Sequence, residues 1–216
     1  TSAAEAVTTA TLHRSINTGN LLHALARSAG ERRLLAYSAE PHEEALLAGT
    51  PLGGILPRTT RPFEGLVVTN DSGTKLGYYL HRSLTYQRSS CAATMATVTV
   101  QLSNEAPASG LPGYMTHGVQ WGDAAHPPGS EYYIVSLYST QGSSVSGVTL
   151  DGQPLGTYTA EDRGHPITET IVTIKPGQTL TEVFTVNEPA ATGTVVLPEQ
   201  PLAQPMTIHA DSPVCT

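Results

Sequence analysis

Two kinds of hydrophobic periodicity divide this chain. Up to about residue 50, apolar positions recur at helical spacing. Ala6, Val7, Ala10 and Ile16 fall close to one helical face, behind Ser2 and Glu5 at capping-box spacing. Asn17-Thr18-Gly19-Asn20 interrupts that stripe, with Gly19 as breaker and Asn20 as a new N-cap. Leu21, Leu22, Leu25 and Ala26 then form a second stripe, closed by Gly30. Arg33-Leu34-Leu35-Ala36-Tyr37-Ser38 reads as a short strand. Glu40-Pro41 opens a short helix with Pro at its first position, Glu43 and Glu44 in its first turn and Gly49 as its stop. The start therefore reads helix, helix, strand, short helix.

From about residue 63 the period changes to two. Strands are expected at Gly65–Thr69, Lys75–Tyr86, Thr94–Leu102, Tyr132–Ser139, Val145–Leu150, Gly156–Ala160, Thr168–Ile174, Thr179–Val186 and Pro205–His209. Ala96, Val98, Val100 and Leu102 alternate with Met95, Thr97, Thr99 and Gln101, the pattern of a strand with one wet face. Asp151-Gly152 is a hairpin turn, and Lys175-Pro176-Gly177-Gln178 a type I or II turn between two long Thr-rich strands. Many short strands at this spacing predict a mostly β fold, an immunoglobulin/fibronectin-like antiparallel β-sandwich with an N-terminal α-helical lead-in. The lead-in covers residues 1–60 and the sandwich 61–216. The stripes Leu21/Leu22/Leu25 and Leu46/Leu47 are too small to close a core alone.

Composition narrows the function classes. Of the 216 residues, 13% are charged, and 11 Lys+Arg against 18 Asp+Glu leave a formal net charge of −7. That balance gives no electrostatic footprint for nucleic acid. No apolar run approaches the roughly 20 residues needed to span a bilayer, and no basic amphipathic stretch reads as a membrane-surface helix. Cys91 and Cys215 lie too far apart for a Cys-x-x-Cys metal site. A disulfide between them would clip the tail onto the domain, with a stabilisation of about 4–5 kcal/mol in the chain-entropy model. It implies an oxidising, extracytoplasmic setting. Two unrelated buried thiols are the alternative. The chain opens on Thr1-Ser2-Ala3-Ala4-Glu5 without a signal peptide, as a mature or excised piece of something longer would.

One segment resists the strand reading. Asn104 to Ser130 is a connection well beyond the roughly 12–15 residues at which loops are usually functional or disordered. It carries Tyr114, His117, Trp121, Asp123 and His126, with Gly110, Gly113, Gly118 and Gly122 between them. Any small-molecule or glycan contact is expected here, on Trp121 and Tyr114, because aromatic faces stack on sugars and Pro-rich peptides. Trp121 folded back as a plug over the sandwich end is the plainer alternative.

Catalytic patterns are thin. His117, Asp123 and His126 would converge on a metal only if the loop folded them together; three solvated loop residues explain them more simply, and neither a metal nor another cofactor is expected. Ser72-Gly73-Thr74-Lys75 matches Ser-x-x-Lys, but that chemistry needs the Ser at a helix start, whereas Asp71-Ser72-Gly73 reads as a turn. Thr1 as an N-terminal nucleophile would have its own amine as base, yet it precedes a helix. Asn70-Asp71-Ser72 is formally a glycosylation sequon. No catalytic residue is assigned.

Two stretches carry a resemblance. Arg33-Leu34-Leu35-Ala36-Tyr37-Ser38-Ala39-Glu40-Pro41 runs into Glu44-Ala45-Leu46-Leu47-Ala48-Gly49-Thr50-Pro51-Leu52-Gly53-Gly54, and Asn70-Asp71-Ser72-Gly73-Thr74-Lys75 leads to Tyr78-Tyr79-Leu80. With weaker echoes at Leu111-Pro112-Gly113-Tyr114, Leu150-Asp151-Gly152, Asp162-Arg163-Gly164 and Pro176-Gly177-Gln178, the chain resembles the C-terminal half of a family of actinobacterial membrane-anchored cell-envelope proteins of unknown function. Glu40 and Leu76-Gly77 depart from that pattern, standing where Asp and a Met-Asp pair are expected. The resemblance implies an N-terminal anchor and an upstream half, absent here, with a faint likeness to glycopolymer transferases. It transfers no site residue. The reading is a non-catalytic extracytoplasmic cell-envelope module for surface assembly or binding, whose partners would be its upstream half, a glycan or another copy. An accessory part of a cell-wall glycopolymer-processing enzyme, or a self-associating surface or filament subunit, are the alternatives.

Overall fold

The computed structural model describes residues 18–116, 127–190 and 192–214. The chain divides into two compact units, Thr1–Leu56 and Pro57–Thr216. In the first, helix α1 spans Thr18–Gly30 and helix α2 spans Pro41–Ala48. Glu40 caps α2 by accepting from the Glu43 amide at 2.9 Å, and Pro41 needs no donor partner at the first turn. Ser38 adds a bond from its amide to Glu44 and one from its hydroxyl to Glu43. Past Gly49, the turn at Pro51–Gly53 comes so close to α2 that a Cβ on Gly53 would sit 2.6 Å from the Leu47 carbonyl oxygen. Only glycine fits there.

Among the described residues, the second unit is a β-sandwich of ten strands. They are β1 (Gly65–Asn70), β2 (Leu80–Gln87), β3 (Met95–Asn104), β4 (Glu131–Tyr138), β5 (Ser144–Leu150), β6 (Gln153–Pro154), β7 (Tyr158–Asp162), β8 (His165–Ile174), β9 (Thr179–Asn187) and β10 (Met206–Asp211). A short helix α3, Gly113–Thr116, lies between β3 and β4. One sheet has the order β1-β4-β8-β7 and the other β10-β2-β3-β9-β5-β6. The chain changes sheet between β1 and β2, β3 and β4, β4 and β5, β6 and β7, and β8 and β9. The two sheets are thereby tied together many times.

Alternation decides which face is inward. Leu80, Leu84 and Tyr86 of β2, Ala96, Val98, Val100 and Leu102 of β3, and Leu180, Phe184 and Val186 of β9 face Leu66, Val68, Tyr133, Val135, Leu137, Val172 and Ile174 from the other sheet. Fully burying an aromatic such as Phe184 is worth about 1.5–3 kcal/mol. The exposed edge of β1 is closed by a side chain: the Gln200 amide accepts from the Val68 N–H at 2.9 Å and donates to the Val68 carbonyl at 3.2 Å. Gln200 thus mimics one residue of a neighbouring strand.

Four expectations need correction. Arg33–Ser38 is not a strand: its residues take irregular conformations, the Ala36 amide donates to the Leu52 carbonyl at 2.9 Å, and Leu35 and Tyr37 are exposed. Alternating apolar residues need a neighbouring strand, and none pairs with this stretch among the described residues. Helix α1 starts at Thr18 and keeps Gly19 and Asn20 in its first turn rather than being broken by them; the helix expected before it lies outside the described residues. Strand β2 begins at Leu80, because Gly77–Tyr79 form a 3₁₀ turn after the buried Leu76, with Tyr78 exposed. Finally, the sheets are not wholly antiparallel, since β10 pairs parallel with β2.

Candidate functional site

Both ends of the sandwich hold buried carboxyl groups. At the end where β1 stops and β4 starts, Asn70 and Ser72 form an Asx turn, the Ser72 amide donating to Asn70 Oδ1 at 2.9 Å, with Gly73 at φ 71°. The turn wraps around Glu131, which is 0% exposed. Asn70 Nδ2 donates to Glu131 Oε2 at 2.8 Å, Ser72 Oγ lies 3.3 Å from the same oxygen, and Thr74 Oγ1 donates to Oε1. Burial raises the Glu131 carboxyl above its ordinary value, and the hydroxyl donors pull it part of the way back. These contacts explain the Ser-x-x-Lys pattern. Ser72 Oγ donates to Asn70 Oδ1 at 2.6 Å within the turn, while Lys75 is exposed. The Asn70 amide of the formal sequon is likewise committed to Glu131.

The long connection leaves and re-enters at this end. The Lys75 amide donates to the Met115 carbonyl at 3.0 Å, the Gly129 amide to Thr116 at 3.2 Å, and Asn104 Nδ2 to the Gly129 carbonyl at 2.9 Å. Tyr114 therefore stands on α3 beside the Asn70–Lys75 turn and is 70% exposed. His117, Trp121, Asp123 and His126 lie outside the described residues, as does Cys215. Of the predicted ligand-binding set, only Tyr114 is placed.

The opposite end holds a larger cluster. Glu188, past the end of β9, accepts from the Tyr86 hydroxyl at 2.6 Å and from Thr140 Oγ1 at 3.0 Å, and pairs with Arg88 at 3.2 Å. Both side chains of that ion pair are out of solvent, at 2% and 0% exposure. The guanidinium also donates to the Ala93 carbonyl through Nε at 3.0 Å and reaches the Cys91 carbonyl at 3.4 Å. Beside it, Glu64 accepts from Ser139 Oγ at 2.8 Å. Burial raises the Glu64 carboxyl well above its ordinary value, Ser139 opposes this, and the neighbouring Glu188 charge adds to the rise. His165 lies between the Ser139 and Pro57 carbonyls at 2.9 and 3.0 Å, its ring 4.4 Å from that of Phe63.

A fourth acid sits between the ends. Glu182 occupies an inward position of β9 and accepts from Thr170 Oγ1 of β8 at 2.5 Å, while its other oxygen has no hydrogen-bond partner among the described residues. Burial pushes its pKa from 4.5 to about 7, against the opposing Thr170 bond. Sequence reasoning missed all four acids as a set. The signal was present in Leu180-x-Glu182-x-Phe184, where an acid occupies an inward position of an alternating strand.

Chemically, each acid is positioned to hold neighbouring strands together. A general acid or base must come within hydrogen-bond reach of a substrate, and Glu64, Glu131 and Glu182 are at most 1% exposed, while the Glu188 side chain is out of solvent. What the second unit offers to solvent is instead a groove of about 470 Å³ lined by Gln87, Arg88, Ser89, Met95, Thr97 and Asp211 among others. Among the described residues no helix is long and apolar enough to cross a membrane, and no group of three or more His, Cys, Asp or Glu is arranged to hold a metal ion. Comparison with protein-family models and with curated proteins returns no match to this chain.

Proposed function

We propose that this chain is a non-catalytic, extracytoplasmic cell-envelope module that acts in surface assembly or binding, akin to the C-terminal half of the actinobacterial family it resembles. The observation that carries the reading is the contrast between enclosed and exposed groups. The acids of the sandwich are sealed within it, whereas the leading unit exposes Leu22 at 61% and Leu46 at 64%, with Leu21 and Leu25 beside them. Apolar side chains held out on helices suit docking to an upstream half. The Cys91–Cys215 disulfide belongs to the same proposal. No described cysteine is a free thiol, and the Arg88 amide bonds to Asp211 at 3.0 Å, which brings the chain leading to Cys215 next to the β2–β3 turn that carries Cys91.

Self-association is the second reading, favoured by β7, an edge strand exposed along its whole length. Incubation of the purified protein with isolated actinobacterial cell walls tests the first. The protein is expected to co-sediment with the walls and to leave their soluble sugar unchanged. Release of sugar would overturn the reading in favour of an enzyme, and failure to co-sediment would remove the binding role.

A further inference from the structure

The outer face of the six-stranded sheet has an unusual surface chemistry. With Leu80, Arg82, Leu84 and Tyr86 inward, β2 turns His81, Ser83, Thr85 and Gln87 to solvent. The same parity on β3 and β9 gives Thr, Ser, Gln, Asn, one Met and one Val, and no Lys, Arg, Asp or Glu. Charged side chains normally make up roughly a quarter to a third of a protein surface, which aids solubility, and charges on sheets discourage pairing with other chains. Here hydroxyls and amides replace them.

Strand register arranges these groups in rows. Thr207, Ser83, Gln101 and Thr181 are direct cross-strand neighbours, as are His209, Thr85, Thr99 and Val183. A third row joins Asp211, Gln87, Thr97 and Thr185. Strands lie roughly 4.8 Å apart and same-face residues roughly 6.8 Å apart along each strand, so the face is a lattice of hydrogen-bonding groups spaced on the scale of a pyranose ring. The third row runs into the groove of about 470 Å³, where Met95, 53% exposed, adds an apolar contact. The floor beneath is rigid and adds no net charge, because Arg88 is fixed by Glu188 and by the Ala93 carbonyl.

We infer that this face, centred on Gln87, Thr97 and Asp211, binds a neutral polysaccharide. Many weak, uncharged donors and acceptors over a flat surface match a polymer of hydroxyl groups. An anionic polymer would meet Asp211 and find no free cation on β2, β3 or β9. The inference rests on the binding role proposed above, and names both its ligand class and its location, at a site separate from Tyr114.

Amide NMR titration of the ¹⁵N-labelled protein with cellohexaose, mannohexaose and chitohexaose, and with a polygalacturonate hexamer as anionic control, tests it. At least one neutral hexamer should shift the Gln87, Thr97 and Thr99 amides, with weak affinity on the order of 1 mM, and the control should not. Thr97→Lys and Thr181→Lys, on two different strands and half-buried on the outward face, should each weaken that binding at least about tenfold with the protein still unfolding cooperatively. Absence of shifts with all neutral hexamers, equal shifts with the control, or shifts confined to residues around Tyr114 would overturn the site. If wild type and Thr97→Lys co-sediment equally with cell walls, the binding role stands and this face is wrong; if neither does, the binding role itself fails.

Discussion

The two ends of the sandwich bury a carboxyl by different means. Around Glu131 the donors are neutral and local, supplied by one turn, Asn70 to Thr74. Around Glu188 the partners come from β2, the β4–β5 turn and the residue after β2, and one of them is the Arg88 charge. A cage of neutral donors loses a fraction of its strength when one member is removed. An ion pair loses its balance, because the surviving charge stays out of water. The difference teaches where the fold is brittle: at the Arg88 end.

Arg88→Met is expected to be the most damaging single change, with a loss of about 3–5 kcal/mol in urea unfolding, because it strands the Glu188 charge. Adding Glu188→Gln should restore part of that loss. A loss under about 1 kcal/mol would erase the contrast between the ends. Reduction comes next. If Cys91 and Cys215 are bonded, removing the bond should lower stability by about 2–4 kcal/mol and speed hydrogen exchange at residues 88–95 while leaving residues 70–75 unchanged. Equal acceleration at both ends would show that the bond does not belong to the Arg88 end. The smallest effect is expected at the caged acid: Asn70→Ala should cost about 1–2 kcal/mol, since Thr74 and Ser72 still face Glu131. A cost equal to that of Arg88→Met would mean that the two ends are equivalent after all.

Much of the architecture is legible wherever local chemistry sets it. Asp151 and Gly152 both take positive φ, 47° and 80°, as a two-residue hairpin turn requires. Pro41 starts its helix, and Ala96 to Leu102 alternate as the pattern demands. What escaped was non-local. The parallel pairing of β10 follows an irregular stretch after β9, and nothing within Met206–Asp211 specifies which edge it joins or in which direction. The hydroxyl rows need strand register, which a residue pattern alone does not provide: Thr97 and Gln87 are unremarkable until they stand side by side. Of the candidate site, Tyr114 is placed on α3 with its ring exposed, whereas the acid cluster at the other end was invisible because its members come from five separate stretches of chain.

The central claim is that the acids are sealed scaffolding, with burial holding Glu64, Glu131 and Glu182 toward the neutral form, and stability against pH tests it most directly. Burial lifts the folded-state pKa of Glu182 from 4.5 to about 7, and Glu64 and Glu131 shift in the same direction. A group whose pKa is raised on folding contributes its full stability below the unfolded value and loses it as pH rises through the folded value. The account predicts greatest stability in mild acid near pH 4.5, falling by about 3 kcal/mol from Glu182 alone between pH 4.5 and about 7, with that part of the fall abolished in Glu182→Gln. Stability that stays level or rises between pH 4.5 and 8 would mean that these carboxyls ionise freely, and the sealed-scaffold account would be contradicted.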